Sequence, residues 1–184
     1  TWQEQWGNTD RILTEEQNES VAMQTFSGLD LTKRIVEAQT DIDGMTAAKR
    51  CWNYQKGGLQ WYLPCLMELG VLCAYHDEIN KAMKEIGCPD ECLLPTEDSD
   101  ETWVWSSSEG SQTNSWFVYF SNGNFYSYYK YYSGMVRAVA AFQPSPSLLT
   151  GEAKSNDCLH SDEALINMLR ERGYKGELTK TLTI

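Results

Sequence analysis

Apolar positions along the first half of the chain recur at the spacing of a helix. MTAAKRCWNYQKGG (45–58) predicts one: Thr46 suits an N-cap, Ala47, Ala48 and Lys49 favour helix, and Gly57-Gly58 ends it. LQWYLP (59–64) predicts a short strand stopped by Pro64. CLMELGVLCAYHDEINKAMKEIG (65–87) puts Leu66, Leu69, Leu72 and Cys73 on one apolar face and Ile79, Met83 and Ile86 on a second. That pattern predicts helix in one or two pieces, closed by Gly87. LDLTKRIVEAQT (29–40) carries Leu31, Ile35 and Val36 at roughly helical spacing and reads as a short helix or an extended arm. Residues 1–28 are polar, with Trp2, Trp6 and Phe26 as isolated anchors.

Beyond residue 102 the period falls to two. TWVWSSSE (102–109) predicts a strand. Asn122-Gly123 lies between aromatic-rich runs, the preferred two-residue hairpin turn, so strand 115–120 is expected to face strand 124–130. GMVRAVAAF (134–142) has the small and branched residues of a buried central strand. QPSPS (143–147) reads as a linker. A helix capped by Ser161 and ended by Gly173, then an alternating strand, are expected after it. The sum is an α+β fold.

The hairpin poses a question of faces. Trp116, Val118 and Phe120 share one side of their strand and look like core. Phe117 and Tyr119 share the other and are expected to face outward. Six of the ten tyrosines fall between Tyr119 and Tyr132. Phe125, Tyr126, Ser127, Tyr128, Tyr129, Tyr131 and Tyr132 cannot all be interior, because neighbours on a strand point opposite ways. One reading is an apolar patch rimmed by hydroxyls, which marks a binding surface. The other is a core β-segment whose hydroxyls reach solvent at its edges. Composition and alternation favour the first.

Composition narrows the functions. The 184 residues suffice for one domain with a small appendage, and a hydrophobic fraction of 41% supports a core. A net charge of −11 argues against gripping nucleic acid or anionic lipid by bulk electrostatics. Much of the acid lies between Asp77 and Glu101, whereas Lys130 is the only charged side chain from Gly110 to Val136. The acidic stretch lacks the alternate-position oxygens of a calcium loop and reads as solvated surface. No apolar run is long enough for a membrane span. The chain opens at Thr1 with neither an initiating Met nor a signal peptide, which suggests processing or a trimmed chain. Six cysteines permit disulfides without requiring them, and Cys65 and Cys73 lie in surroundings typical of free buried thiols. Cys88 and Cys92 could form a zinc site with Cys158 and His160, but no second close pair repeats their spacing, so no metal and no cofactor are expected.

Six short motifs follow in order: A-A-K-R-C-W-N-Y (47–54), Q-W-Y-L-P-C-L-M-E-L (60–69), D-E-I-N-K-A-M-K-E-I-G (77–87), V-W-S-S-S-E (104–109), N-S-W-F-V-Y-F-S-N-G (114–123) and V-R-A-V (136–139). Together they resemble bacterial and phage domains of C-type lectin fold related to the formylglycine-generating-enzyme type, and most of all the variable proteins of diversity-generating retroelements. The resemblance implies a C-type lectin-like fold with two helices in the N-terminal half and a twisted antiparallel sheet. It places a lead-in at 1–44, the lectin-like domain at 45–142 with a variable region at about 104–142, and a linker with a C-terminal helix-strand tail at 143–184. Trp116, Val118, Phe120 and Val136 would hold the scaffold. Phe117, Tyr119, Tyr126, Ser127, Tyr128, Tyr129, Tyr131 and Tyr132 would present the ligand surface, with Ser111, Thr113, Lys130 and Gly134 as further members. Cys65 departs from the pattern, since Ser is common there, and the chain runs some forty residues past V-R-A-V. The sugar-binding motifs of calcium-dependent lectins are absent, so the fold implies neither calcium nor sugar.

The expected function is non-catalytic: a receptor-binding or adhesin-type protein on a phage virion or bacterial surface, recognising a protein or, second, a glycan. Two alternatives compete with it. One is a cysteine- or metal-dependent oxidase of the formylglycine-generating type, for which no cysteine pair sits in a recognisable catalytic motif. The other is a virion or surface assembly protein whose tyrosines form an oligomer interface.

Overall fold

Two runs of alternating side chains build the centre of the molecule, and helices cover them on both sides. The computed structural model describes residues 2–7, 10–96 and 102–141, all within one unit, Thr1–Phe142. Its helices are α1 (Glu19–Ala22), α2 (Gly28–Ala38), α3 (Ala47–Trp52), α4 (Leu66–Ala74) and α5 (His76–Glu85). Its strands are β1 (Trp2–Gln5), β2 (Trp61–Tyr62), β3 (Trp103–Glu109), β4 (Asn114–Tyr119), β5 (Phe125–Tyr129), β6 (Ser133–Val136) and β7 (Val139–Ala140). A five-stranded sheet has the order β1-β6-β3-β4-β5, and β2 pairs with β7 in a separate ribbon. Among the described residues every pairing between these strands is antiparallel except β3 with β6, where Val104 meets Met135 in the parallel sense. The class is therefore α+β, with a mostly antiparallel sheet. Five α-helices lie among the described residues, where the resemblance implied two in the N-terminal half. The expected linker and helix-strand tail lie outside the described residues.

The strands carry apolar residues on both faces, and each face has its own core. On one, Trp105 and Phe117 pack with Trp6, Ile35 of α2, and Ala47, Ala48 and Cys51 of α3. On the other, Val104, Val118 and Phe120 pack with Ala22 of α1 and Leu66, Leu69 and Cys73 of α4. Adjacent strand residues point opposite ways, so Phe117 and Val118 are each buried in a different core. Of the expected anchors, Trp6 is buried, while Phe26 is exposed.

The serine run in β3 has a specific job. Trp105 pairs with Phe117 and Glu109 with Ser115, so the strand gains extra residues between those positions. A bulge of this kind strands backbone groups, and hydroxyls recover them. Ser106 Oγ donates to the Trp116 carbonyl at 2.7 Å, Ser115 Oγ to that of Ser108 at 2.7 Å, and Ser108 Oγ accepts from the Leu66 amide at 3.1 Å. The last bond joins the bulge to α4. At the head of α4 the Cys65 side chain and Glu68 complete a reciprocal capping box, with the Cys65 amide donating to Glu68 Oε2 at 2.9 Å. Cys65 thus takes the position a serine would fill.

The helix expected over 65–87 in one or two pieces forms as two, α4 and α5, divided at Tyr75. Two other expected elements come out differently. The helix over 45–58 ends at Trp52, followed by a single 3-10 turn, Lys56–Gly58. The strand over 134–142 divides into β6 and β7, because one half pairs with β1 and the other with β2.

Candidate ligand-binding surface

Among the described residues β5 is the edge of the sheet, bonded only to β4. Its register places Ser115 opposite Tyr128, Trp116 opposite Ser127, and Phe117 opposite Tyr126. The hairpin connection is longer than the expected two-residue turn. Val118–Phe125 is the last strand pair, the Tyr119 amide donates to the Asn124 carbonyl at 3.0 Å, and Phe120 turns into the core. Gly123 takes φ 71°, which accounts for glycine after Asn122.

Five tyrosines of β5 and the turn after it stand outward: Tyr126 is 49% exposed, Tyr128 40%, Tyr129 45%, Tyr131 48% and Tyr132 40%. Ser127 is exposed among them and Tyr119 is half-buried. Phe117 was expected on this surface and is corrected: it is buried, because α2 and α3 cover the face that its strand presents. It supports the patch from beneath, with its ring 6.0 Å from Tyr126 and 6.3 Å from Tyr128. Of the further members, Thr113 is exposed, Ser111 half-buried, and Lys130 and Gly134 buried. A Cβ on Gly134 would lie 2.2 Å from the Trp103 ring, so glycine is needed for that indole to pack. Trp116, Val118, Phe120 and Val136 lie in or against the cores.

The exposed rings organise one another. Tyr128 stacks on Tyr132 with centroids 4.5 Å apart and 16° between planes; Tyr129 stacks on Tyr131 at 5.4 Å and 18°. Hydrogen-bonding interaction with the neighbouring Tyr132 hydroxyl is the main influence that holds the protons of Tyr128 and Tyr131 above the ordinary tyrosine range. The result is a rigid aromatic surface with hydroxyls gathered in it.

Beneath this surface lies a buried ion pair that sequence reasoning missed. Lys130 Nζ meets Glu109 Oε1 at 2.6 Å, and both side chains are fully buried. Glu109 also accepts from the Leu13 amide, and from the Thr14 amide and hydroxyl at 2.6 Å each. Lys130 donates further to the Gln112 carbonyl at 3.0 Å and sits 4.6 Å from the centre of the Trp6 ring. Its backbone carbonyl accepts from the amides of Trp6 and Gly7. Burial pulls the Lys130 pKa below the usual lysine value, and Glu109 opposes that shift. The N-terminal segment, the end of β3 and the tyrosine-bearing turn are thereby clasped at one point. The signal was available: Lys130 is the single charge in a long uncharged stretch.

Cys51, Cys65 and Cys73 are buried free thiols, and Cys88 and Cys92 are half-exposed. No group of three or more metal-ligating side chains occurs among the described residues; Cys158 and His160 lie outside them. No helix among the described residues is long and apolar enough to cross a membrane. No protein-family model, curated protein or solved structure matches the chain.

Proposed function

We propose that this chain is a ligand-binding protein, of receptor-binding or adhesin type, built on a C-type lectin-like scaffold as in the variable proteins of diversity-generating retroelements. The observation that carries the reading is the tyrosine surface: five rings, each between 40% and 49% exposed, held together on a framework whose own residues are buried. Exposed apolar patches on a folded domain mark contact sites. Tyrosine gives such a site large contact area at low entropic cost, with a hydroxyl for orientation. A protein surface is the preferred partner and a glycan stacked on ring faces the second. The setting that suits such a protein is a phage virion or a bacterial surface.

The scaffold reading draws on what the motifs do. V-W-S-S-S-E forms the bulged central strand, and its glutamate anchors the ion pair. The L-P-C-L-M-E-L run forms the capped start of α4. A non-catalytic role fits the buried thiols. Burial raises the pKa of Cys51, Cys65 and Cys73, which makes them poor nucleophiles for an oxidase.

The test replaces Tyr128, Tyr129, Tyr131 and Tyr132 together with Ser. Labelled native protein is applied to panels of bacterial and host cells and to a glycan array. The native chain should mark at least one target and the variant none, with Tm lowered by less than about 10 °C. Equal labelling by a folded variant refutes the proposal. Light scattering at rising concentration addresses the assembly alternative: a mass that grows with concentration and falls back in the variant assigns the patch to self-association. In the genome, a near-copy of the segment coding for 104–142, differing only at adenines and beside a reverse transcriptase, would identify the class.

A further inference from the structure

A second concavity lies away from β5, between β1, the β2–β7 ribbon and the chain after α5. Its volume is about 610 Å³, within the usual range of small-molecule sites. Trp2, Tyr54 and Trp61 form one wall. Their rings meet edge to face, Trp2 with Tyr54 at 5.1 Å and Tyr54 with Trp61 at 5.0 Å. The Trp61 indole is fixed by its Nε1 donating to the Lys56 carbonyl at 2.8 Å. Arg137 lines the same space, between β6 and β7.

Arg137 carries the argument. Its side chain is half-buried; Nη1 donates to the Cys92 carbonyl, and Nη2 lies 3.7 Å from Met83 Sδ. A guanidinium has five donors, and thioether sulfur is a weak acceptor. No carboxylate among the described residues lies within ion-pair distance of it, although Glu91 stands exposed at the rim. A half-buried guanidinium that lines a cavity, with donors left over and no counter-charge among the described residues, is placed to receive an anion. Desolvation lowers its pKa, which agrees with that placement. Lys56, on the rim, adds a second positive charge.

We propose that this cavity binds a small monoanionic carboxylate with a flat apolar ring, the carboxylate pairing with Arg137 and the ring packing on Trp61 and Tyr54. The guanidinium fork matches a carboxylate in two parallel hydrogen bonds. Glu91 at the rim and a net charge of −11 disfavour a dianion such as a phosphate monoester. The site is independent of the tyrosine surface: β1 and β5 are opposite edges of the sheet.

Calorimetric titration of the full chain with 3-phenylpropionate, its neutral amide and phenyl phosphate tests this. The carboxylate should bind at least about tenfold more tightly than the amide, the loss expected when a charge-assisted bond becomes neutral. It should also bind more tightly than phenyl phosphate. Arg137→Gln should reduce carboxylate binding to the level of the amide, and Arg137→Lys should restore part of it. Bound carboxylate should slow iodoacetamide alkylation of Cys88 and Cys92, which line the cavity. Equal affinity for carboxylate and amide, tighter binding of phenyl phosphate, or no heat at about 10 mM ligand overturns the proposal. If Arg137→Gln does not fold, the comparison of the three compounds on the native chain still decides.

Discussion

Substituting Met for Lys130 isolates the charge at the base of the tyrosine surface. Met keeps much of the apolar stem against Trp6 but removes the cation that meets Glu109 at 2.6 Å. Glu109 keeps its donors from Leu13 and Thr14 and remains an uncompensated buried carboxylate. Removing one partner of a buried pair costs about 3–5 kcal/mol. For a unit ending at Phe142, the unfolding entropy is roughly 0.3 kcal/mol/K, so Tm should fall by about 10–17 °C. Urea unfolding followed by tryptophan fluorescence measures the free energy directly. The double variant Glu109→Gln with Lys130→Met removes both charges, and it should be less destabilised than the sum of the single changes by at least about 1.5 kcal/mol. A loss below about 1 kcal/mol in Lys130→Met, or strict additivity in the double variant, would refute the argument that the pair acts as a unit.

Two further outcomes follow from the same surface. Phe117→Ala empties a buried site between Trp105 and Tyr126 and should cost about 3–5 kcal/mol, while Tyr131→Ala should stay within about 1 kcal/mol; similar costs for both, measured by urea unfolding, would mean that the rings are misassigned between core and surface. Tyr128 and Tyr131 hold their protons above the ordinary range in the folded chain, whereas unfolded tyrosines titrate near about pH 10. The folded state therefore binds more protons in that window, and the contribution of these groups to stability falls as pH rises through it. Tyr132→Phe removes their shared hydrogen-bond partner and should move two phenols to lower pH in an absorbance titration; an unchanged curve would count against the hydroxyl cluster.

The periodic parts of the fold were legible. Alternation located β3, β4 and β5 within a residue or two, and helical spacing located α4 and α5. What alternation cannot supply is the covering of a face. It placed Phe117 opposite Val118 correctly but left its side to solvent, because the helices that bury it come from residues 28–52, far away in sequence. The Asn-Gly signal marked the hairpin but not its length. Burial of Phe120 in the core outweighs a tight turn, and the last pair forms at Val118–Phe125. The lone charge at Lys130 was legible but its partner was not: Glu109 is 21 residues away, and the two meet only when the turn after β5 reaches the end of β3.

These failures bear on how the edge strand could vary. A surface open to substitution must be uncoupled from the core, and here the uncoupling is local and alternates along the chain. Tyr126, Tyr128 and Tyr129 project from the edge strand and Tyr131 and Tyr132 from its turn, each with 40% or more of its surface open to water. Replacing Tyr129, Tyr131 or Tyr132 removes ring contacts among the outward tyrosines themselves, whereas Tyr126 and Tyr128 also rest on Phe117. Between them stand positions that cannot follow. Phe125 packs against the second core, with its ring 3.3 Å from where a Cβ on Gly70 would lie. Lys130 neutralises Glu109, and Gly134 leaves room for Trp103. A chain that exchanged every residue from 125 to 134 would lose its sheet edge. One that exchanged only the outward rings would keep the clasp at Lys130, and with it the position of the turn that carries Tyr131 and Tyr132.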